Sequence, residues 1–184
     1  MEEFYHLDDI KKIILIASAK GGVGKSTTAI NIATALNQLK HNVGILDADI
    51  YGPSIPTMLN LKEKPKISKD KRFIPLEKFN MKCMSIGFLV DQKTPLIWRG
   101  PMIIKALKQM LHGVVWTGVD TLVIDLPPGT GDVQLTLSQK VNINGVVIVS
   151  TPQELALIDA IKGINMFKKV NVPILGMIEN MSYL

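Results

Sequence analysis

Three features of this sequence predict an α/β fold, with a mostly parallel sheet flanked by helices on both faces. Short apolar runs recur at 13–17, 43–46, 121–124, 145–149 and 174–178, as expected of strands buried on both sides. Amphipathic helical patterns lie between these runs. That alternation means βαβ units, whose crossovers make neighbouring strands parallel. Glycine or acidic residues follow several runs directly, and ligands of open parallel sheets bind beyond the carboxyl ends of their strands.

The elements follow in order. Ile13-Ile14-Leu15-Ile16-Ala17 leads into Ser18-Ala19-Lys20-Gly21-Gly22-Val23-Gly24-Lys25-Ser26-Thr27-Thr28. A helix is expected from Ser26 to Leu39, with Ala29, Ile32, Ala33 and Leu36 on one face. The second run, Val43 to Leu46, ends at Asp47-Ala48-Asp49. Residues 60–82 break the rhythm and read as a surface excursion. Met81 to Ile86, around Cys83, reads as a strand that buries an inert thiol. Trp98-Arg99-Gly100-Pro101 reads as a helix-entry turn, followed by Met102, Ile103, Ala106, Leu107, Met110 and Leu111 at helical spacing. The Thr121 run ends at Asp125-Leu126-Pro127-Pro128-Gly129-Thr130-Gly131-Asp132. A helix carrying Leu157, Ile158, Ile161, Ile164 and Phe167 separates the last two runs, and Glu179-Asn180 closes the last. Polar groups from distant stretches thus converge on one sheet edge.

The 184 residues, 47% hydrophobic with 14 glycines, suit one domain spanning 1–184. The one cysteine excludes an internal disulfide framework and points to a reducing compartment. No run approaches the length of a membrane helix, and the acidic start is neither a signal nor a transit peptide. A cytoplasmic protein without membrane contact is expected. The net charge of +5 sits almost wholly in residues 62–72, which hold six basic and two acidic residues. A Lys run of this kind reads as a solvated loop, so nucleic acid is not an expected partner. His6, His41 and His112 show no metal or triad spacing and read as surface residues.

The glycine stretch is the most informative. Gly21, Gly22 and Gly24 permit the dihedrals and close approach that a backbone phosphate cradle needs. The helix beginning near Lys25 adds its N-terminal dipole. Lys25 is placed for the β and γ phosphates, Ser26 for Mg²⁺, and Thr27 for the α phosphate. The context, an apolar strand before and an amphipathic helix after, makes this a P-loop NTPase expectation. Magnesium prefers oxygen ligands. Asp125, ending a buried strand, is the natural carboxylate for the outer shell of that ion; Asp47 and Asp49 flank the same space, one to hold a metal-bound water and the other to orient the attacking water. Pro128 and Gly129 form a turn whose Gly129 amide is suited to sensing a γ phosphate.

Lys20-Gly21-Gly22-Val23-Gly24-Lys25-Ser26 resembles the deviant phosphate loop of the nitrogenase-iron-protein, septum-site and partition ATPases. Within that group, "LDADIYGPSIP", "MSIGFL", "WRGPM", "DLPPGTGDVQL", "STPQELAL" and "GMIENMSY" together resemble the Mrp/ApbC iron–sulfur cluster carrier ATPases. The match runs from about Lys12 to Tyr183.

The resemblance implies a slow, Mg²⁺-dependent ATPase working as a nucleotide-gated homodimer that delivers clusters to apo iron–sulfur acceptor proteins. Lys20 would reach the phosphates of a second copy, in the manner of an arginine finger. By position Asp49 would orient the water, leaving Asp47 the weaker candidate, and Asn180 would lie near the adenine. Val23 belongs to the nucleotide loop. Family members continue to a Cys-Pro-x-Cys motif and further strands, whereas this sequence stops at Leu184. A domain lacking its C-terminal strands is therefore expected. A shared 4Fe-4S cluster is expected of the full-length protein, with no cluster ligands in this chain. The alternatives are a positioning ATPase of the partition or septum-site type and a nucleotide-binding fragment.

Overall fold

Five strands arise where the apolar runs lie: β1 (Lys12–Ala17), β2 (Val43–Asp47), β7 (Thr121–Asp125), β8 (Gly145–Ser150) and β9 (Ile174–Glu179). Every residue of β2 and of β7 is buried, as strands covered on both faces must be. The computed structural model describes residue 7 and residues 10–89 and 100–183. Four further strands are present among them: β3 (Lys66–Ile67), β4 (Phe73–Ile74), β5 (Leu76–Lys78) and β6 (Met81–Ser85). The main sheet runs β5-β6-β2-β7-β1-β8-β9. Only β5 is antiparallel to its neighbour.

Helices cover both faces. On one face α1 (Lys25–Gln38) and the short α2 (Ile55–Met58) close a core with Ile16, Ile45, Val123 and Cys83. On the other, α3 (Gly100–His112), α4 (Asp132–Lys140) and α5 (Glu154–Lys169) pack over Leu15, Leu46, Leu122, Ile124 and Ile148. α3 sets Ile103, Leu107, Met110 and Leu111 inward, the spacing its sequence predicted. Glu154 in the first turn of α5 and Lys168 and Lys169 in the last complement the helix dipole.

The excursion expected over 60–82 is shorter than its sequence implied. The ribbon of β3 and β4 does stand outside the main sheet. Leu76 to Ser85, however, returns and supplies β5 and β6. Lys82 interrupts the apolar pattern there, and the structure accommodates it by sending Nζ to the Thr117 carbonyl at 2.6 Å. His112 is half-buried at the end of α3, not a surface residue, because its helix lies flat on the core. His41 is half-exposed, 3.7 Å from Asp120. His6, Trp98 and Arg99 lie outside the described residues. Among those described, β9 is an outermost strand, with Leu175 and Met177 exposed at 54% and 41%. No helix among them is long and apolar enough to cross a membrane.

Register fixes the site. Asp47 at the end of β2 is level with Ser85 on β6 and with Asp125 on β7, and Asp125 is level with Ile16 on β1. Four neighbouring strands therefore end together, and the loops that follow them meet.

Candidate nucleotide site

The phosphate loop begins one residue beyond β1. Gly22 and Gly24 hold φ of 78° and 83°, a left-handed conformation that glycine adopts without the cost a Cβ brings. Gly24 is the N-cap of α1 and has no side chain to bond the helix's first amides, and no acidic residue occupies the first turn. An uncapped helix start behind a glycine turn presents donors and a positive dipole end to an anion. Ser26 is half-buried and Thr27 exposed on that first turn.

Val23 is the loop's anchor. Its side chain is buried, and its carbonyl accepts from Asn180 Nδ2 at 2.9 Å. Asn180, expected beside an adenine, is thus brought to the loop itself by the end of β9. A Cβ at position 24 would run into the Asn180 amide. The glycine is required twice, for its φ and for this approach.

Behind the loop, Lys25 Nζ meets Asp125 Oδ1 at 2.6 Å, Asp49 Oδ2 at 3.6 Å and Ser26 Oγ at 3.4 Å. The lysine side chain is 6% exposed and Asp125 fully buried. Asp125 Oδ2 is also buried and accepts no hydrogen bond. Burial raises the Asp125 carboxyl above its ordinary pKa even though Lys25 pulls it down. Asp47 is fully enclosed too. Its Oδ1 accepts from Asp49 N at 3.1 Å, and its Oδ2 from Ser85 Oγ at 3.0 Å and Ile55 N at 3.2 Å. Burial first, and the neighbouring Asp125 second, push it up to about 7 against those bonds. Asp49 faces the other way. Its Oδ1 accepts from Tyr51 N and Gly52 N at 3.2 Å, while Oδ2 points to Lys25. Asp47 is therefore tied into protein donors, and Asp49 is the carboxylate directed at the lysine.

Gly129 sits at φ 104°. Its amide donates to the Ser18 carbonyl at 2.8 Å, joining the turn to the phosphate loop. Pro128 is exposed beside it. Gln134, buried in α4, donates through Nε2 to the carbonyls of Pro127 at 2.7 Å and Gly129 at 2.9 Å. Sequence reasoning missed Gln134 and likewise Ser85. A buried polar residue within an apolar pattern was the available signal for each. Lys20 is half-exposed, and its Nζ lies 3.6 Å from Asp159 Oδ2 on α5. Cys83 is apart from all of this: fully buried, with burial pushing its thiol up to about 12.

A glycine cradle, an uncapped helix start, a buried lysine and carboxylates at the carboxyl edge of a parallel sheet define the class: a P-loop NTPase. The chain matches the family described as ParA, NUBPL iron-transfer P-loop NTPase, over residues 9–184, and it belongs to that family. It is 55% identical over 96% of its length to the Arabidopsis thaliana iron-sulfur protein required for NADH dehydrogenase, mitochondrial, and covers 56% of that protein. It is 54% identical over 96% of its length to the Escherichia coli iron-sulfur cluster carrier protein, covering 48%. The chain thus spans about half the length of these curated relatives. Among solved structures it is similar to the nucleotide-binding protein in complex with ADP from Archaeoglobus fulgidus, with a TM-score of 0.82 and 41% identity, covering 97% of this chain and 70% of that one. The cell division ATPase MinD of Pyrococcus furiosus, at 19% identity and a TM-score of 0.67, shares the fold.

Proposed function

We propose that this protein hydrolyses ATP with Mg²⁺ as a homodimer and carries iron–sulfur clusters to apo acceptor proteins. The observation that carries the ATPase reading is the buried Lys25 poised between Asp125 and Asp49 behind an uncapped helix start. The relatives' names support the cluster cargo. The reading as a positioning ATPase rests on the shared Lys20 loop and on fold likeness.

The residues fit a magnesium nucleotide. Asp125 keeps one buried oxygen without a protein donor, and Ser26 Oγ lies beside Lys25. No group of three or more His, Cys, Asp or Glu among the described residues could hold a metal by itself. That is compatible with Mg²⁺, which takes few protein ligands and completes its shell with water and phosphate oxygens. When bound, Mg²⁺ neutralises charge on the β and γ phosphates.

The remaining work falls to the chain. The amides of Gly21 to Thr27 hold phosphate oxygens. Lys25 leaves Asp125 for the β and γ phosphates, as a cation released from one anion to another. Asp49 orients the attacking water, and Asp47 holds the Asp49 backbone in place through its bond to the Asp49 amide. Lys20 acts on the nucleotide of the second copy, a contribution worth about 10³ to 10⁵ in rate for a well-placed cation. The exposed apolar residues Leu155, Ile158 and Ile161 on α5, beside the Lys20 partner Asp159, support a second copy docking over this edge. Cys83 is not a cluster ligand: a lone thiol held protonated in the core cannot supply the thiolates a cluster needs.

The test uses the full-length protein, purified and reconstituted anaerobically. Steady-state hydrolysis and transfer to an apo acceptor are expected in the wild type. Asp49→Ala and Lys20→Ala should each lower hydrolysis at least a hundred-fold. A protein that hydrolyses no ATP, or that stays colourless and activates no acceptor, overturns the corresponding half of the proposal.

A further inference from the structure

Lys20 is the loop residue that ordinary phosphate-loop chemistry leaves over, and it has a partner on its own chain. Its Nζ lies 3.6 Å from Asp159 Oδ2 in the first half of α5. Asp159 is shared, because Lys162 Nζ bonds its other oxygen, Oδ1, at 3.0 Å. The Lys20 backbone is fixed independently of that pair. Its carbonyl accepts from Ser18 Oγ at 2.8 Å, and the Ser18 carbonyl in turn accepts from Gly129 N at 2.8 Å. The main chain is thus tied to the Pro128–Gly129 turn, and only the side chain has liberty to change partners. The pair is also open to water, with side chains 39% and 32% exposed. Such a hold directs a side chain without trapping it, since exposed pairs bias an equilibrium by a factor of about 1.5 to 5.

We propose that Asp159 is a positioning residue for Lys20: it keeps the ammonium on its own protomer, and transfer of Lys20 from Asp159 to the nucleotide of a second copy is a step in closing the dimer. The inference rests on the reading of Lys20 as a cation supplied to a second copy, and it names what that cation must leave. Lys162 is the counterweight. By occupying the same carboxylate it weakens the hold on Lys20.

The two neighbours of Lys20 therefore act in opposite directions. Asp159→Asn removes the competitor and, because each copy of the dimer releases one pair, should tighten nucleotide-dependent dimerisation about two- to twenty-five-fold at low salt. Lys162→Gln leaves Asp159 to Lys20 alone and should weaken dimerisation by a similar factor. Both effects should fade near 0.5 M salt, where screening shortens the reach of exposed charges to about 4 Å. A residue that merely supports α5 would produce neither the opposite signs nor the salt dependence.

The experiment is sedimentation of the full chain with AMP-PNP and Mg²⁺ at 50 mM and 500 mM NaCl, with thermal unfolding as a check that each variant is folded. Unchanged or weaker dimerisation of Asp159→Asn at low salt overturns the proposal, as does a change in the same direction for both variants. Lys20→Ala separates this proposal from the reading beneath it. If Lys20→Ala dimerises and hydrolyses ATP like the wild type, the role of Lys20 itself fails. If it loses both while Asp159→Asn changes nothing, only the role of Asp159 fails.

Discussion

Replacing Asp47 by asparagine should change the stability of the nucleotide-free protein in a pH-dependent way that crosses neutrality. Its carboxyl is raised from 3.8 to about 7 in the folded protein. That gap of about 3 units, at roughly 1.4 kcal/mol each, makes ionised Asp47 about 4 kcal/mol less favourable in the fold than neutral Asp47. Because the folded pKa lies above the unfolded one, the folded state binds this proton more tightly. The stabilisation is complete below about pH 4 and is lost as pH rises through about 7. Asparagine cannot ionise, so it removes this slope. It also brings an amide NH₂ where Asp47 accepts from Asp49 N, Ile55 N and Ser85 Oγ. At least one donor then faces another, at a cost of about 1–3 kcal/mol. Near pH 4 the variant should be the less stable protein by that amount, and by about 2 kcal/mol less than that at pH 5, where the wild type already bears part of the ionisation cost. Above pH 8 the wild type bears the ionisation cost and the variant does not, so the difference should vanish or reverse. Urea denaturation between pH 5 and 8.5, without nucleotide or Mg²⁺, reads the difference directly. A difference that stays constant within about 0.5 kcal/mol over that range would refute the assignment of a titrating Asp47.

Two further outcomes are expected. Gly24→Ala must hold φ near 83° with a Cβ pressed on the Asn180 amide, so the loop should shift and the variant should lose nucleotide affinity at least ten-fold in calorimetry while keeping its circular dichroism spectrum. Cys83, buried with its thiol pushed up to about 12, should react with a thiol reagent at neutral pH only as fast as the protein unfolds, at least a thousand-fold slower than in denaturant. A rapid native-state reaction would contradict its place in the core.

Much of the fold was legible because burial on both faces leaves its mark on the residues. The run Ile13–Ala17 became β1 and Thr121–Ile124 became most of β7, since a strand between two helix layers is mostly apolar. Lys82 shows where that legibility stops. The strand around Cys83 was readable despite this charge, but not where the charge goes: the lysine's long stem carries the ammonium to the Thr117 carbonyl. The helix α4 was likewise hidden, because Gln134 and Ser138 give it a weakly apolar sequence. At the site, glycine spacing announced the cradle and its lysine. The resemblance ranked Asp49 above Asp47 but did not reveal the different surroundings of the two carboxylates, for residues two apart look alike on paper.

Local chemistry is written in the order of residues: which positions tolerate left-handed backbone, which runs are apolar enough to be enclosed, and which residues can bear charge. It determined the layered α/β arrangement, the phosphate loop and the set of groups at the strand exits. Tertiary structure decided which way each group faces. It enclosed Asp47 among donors, aimed Asp49 at Lys25, drew Asn180 onto the loop across 157 residues of chain, and set Asp159 within reach of Lys20. The physical reason is that desolvation and hydrogen-bond geometry depend on distances between segments far apart in sequence, and those distances exist only once the sheet has assembled in register.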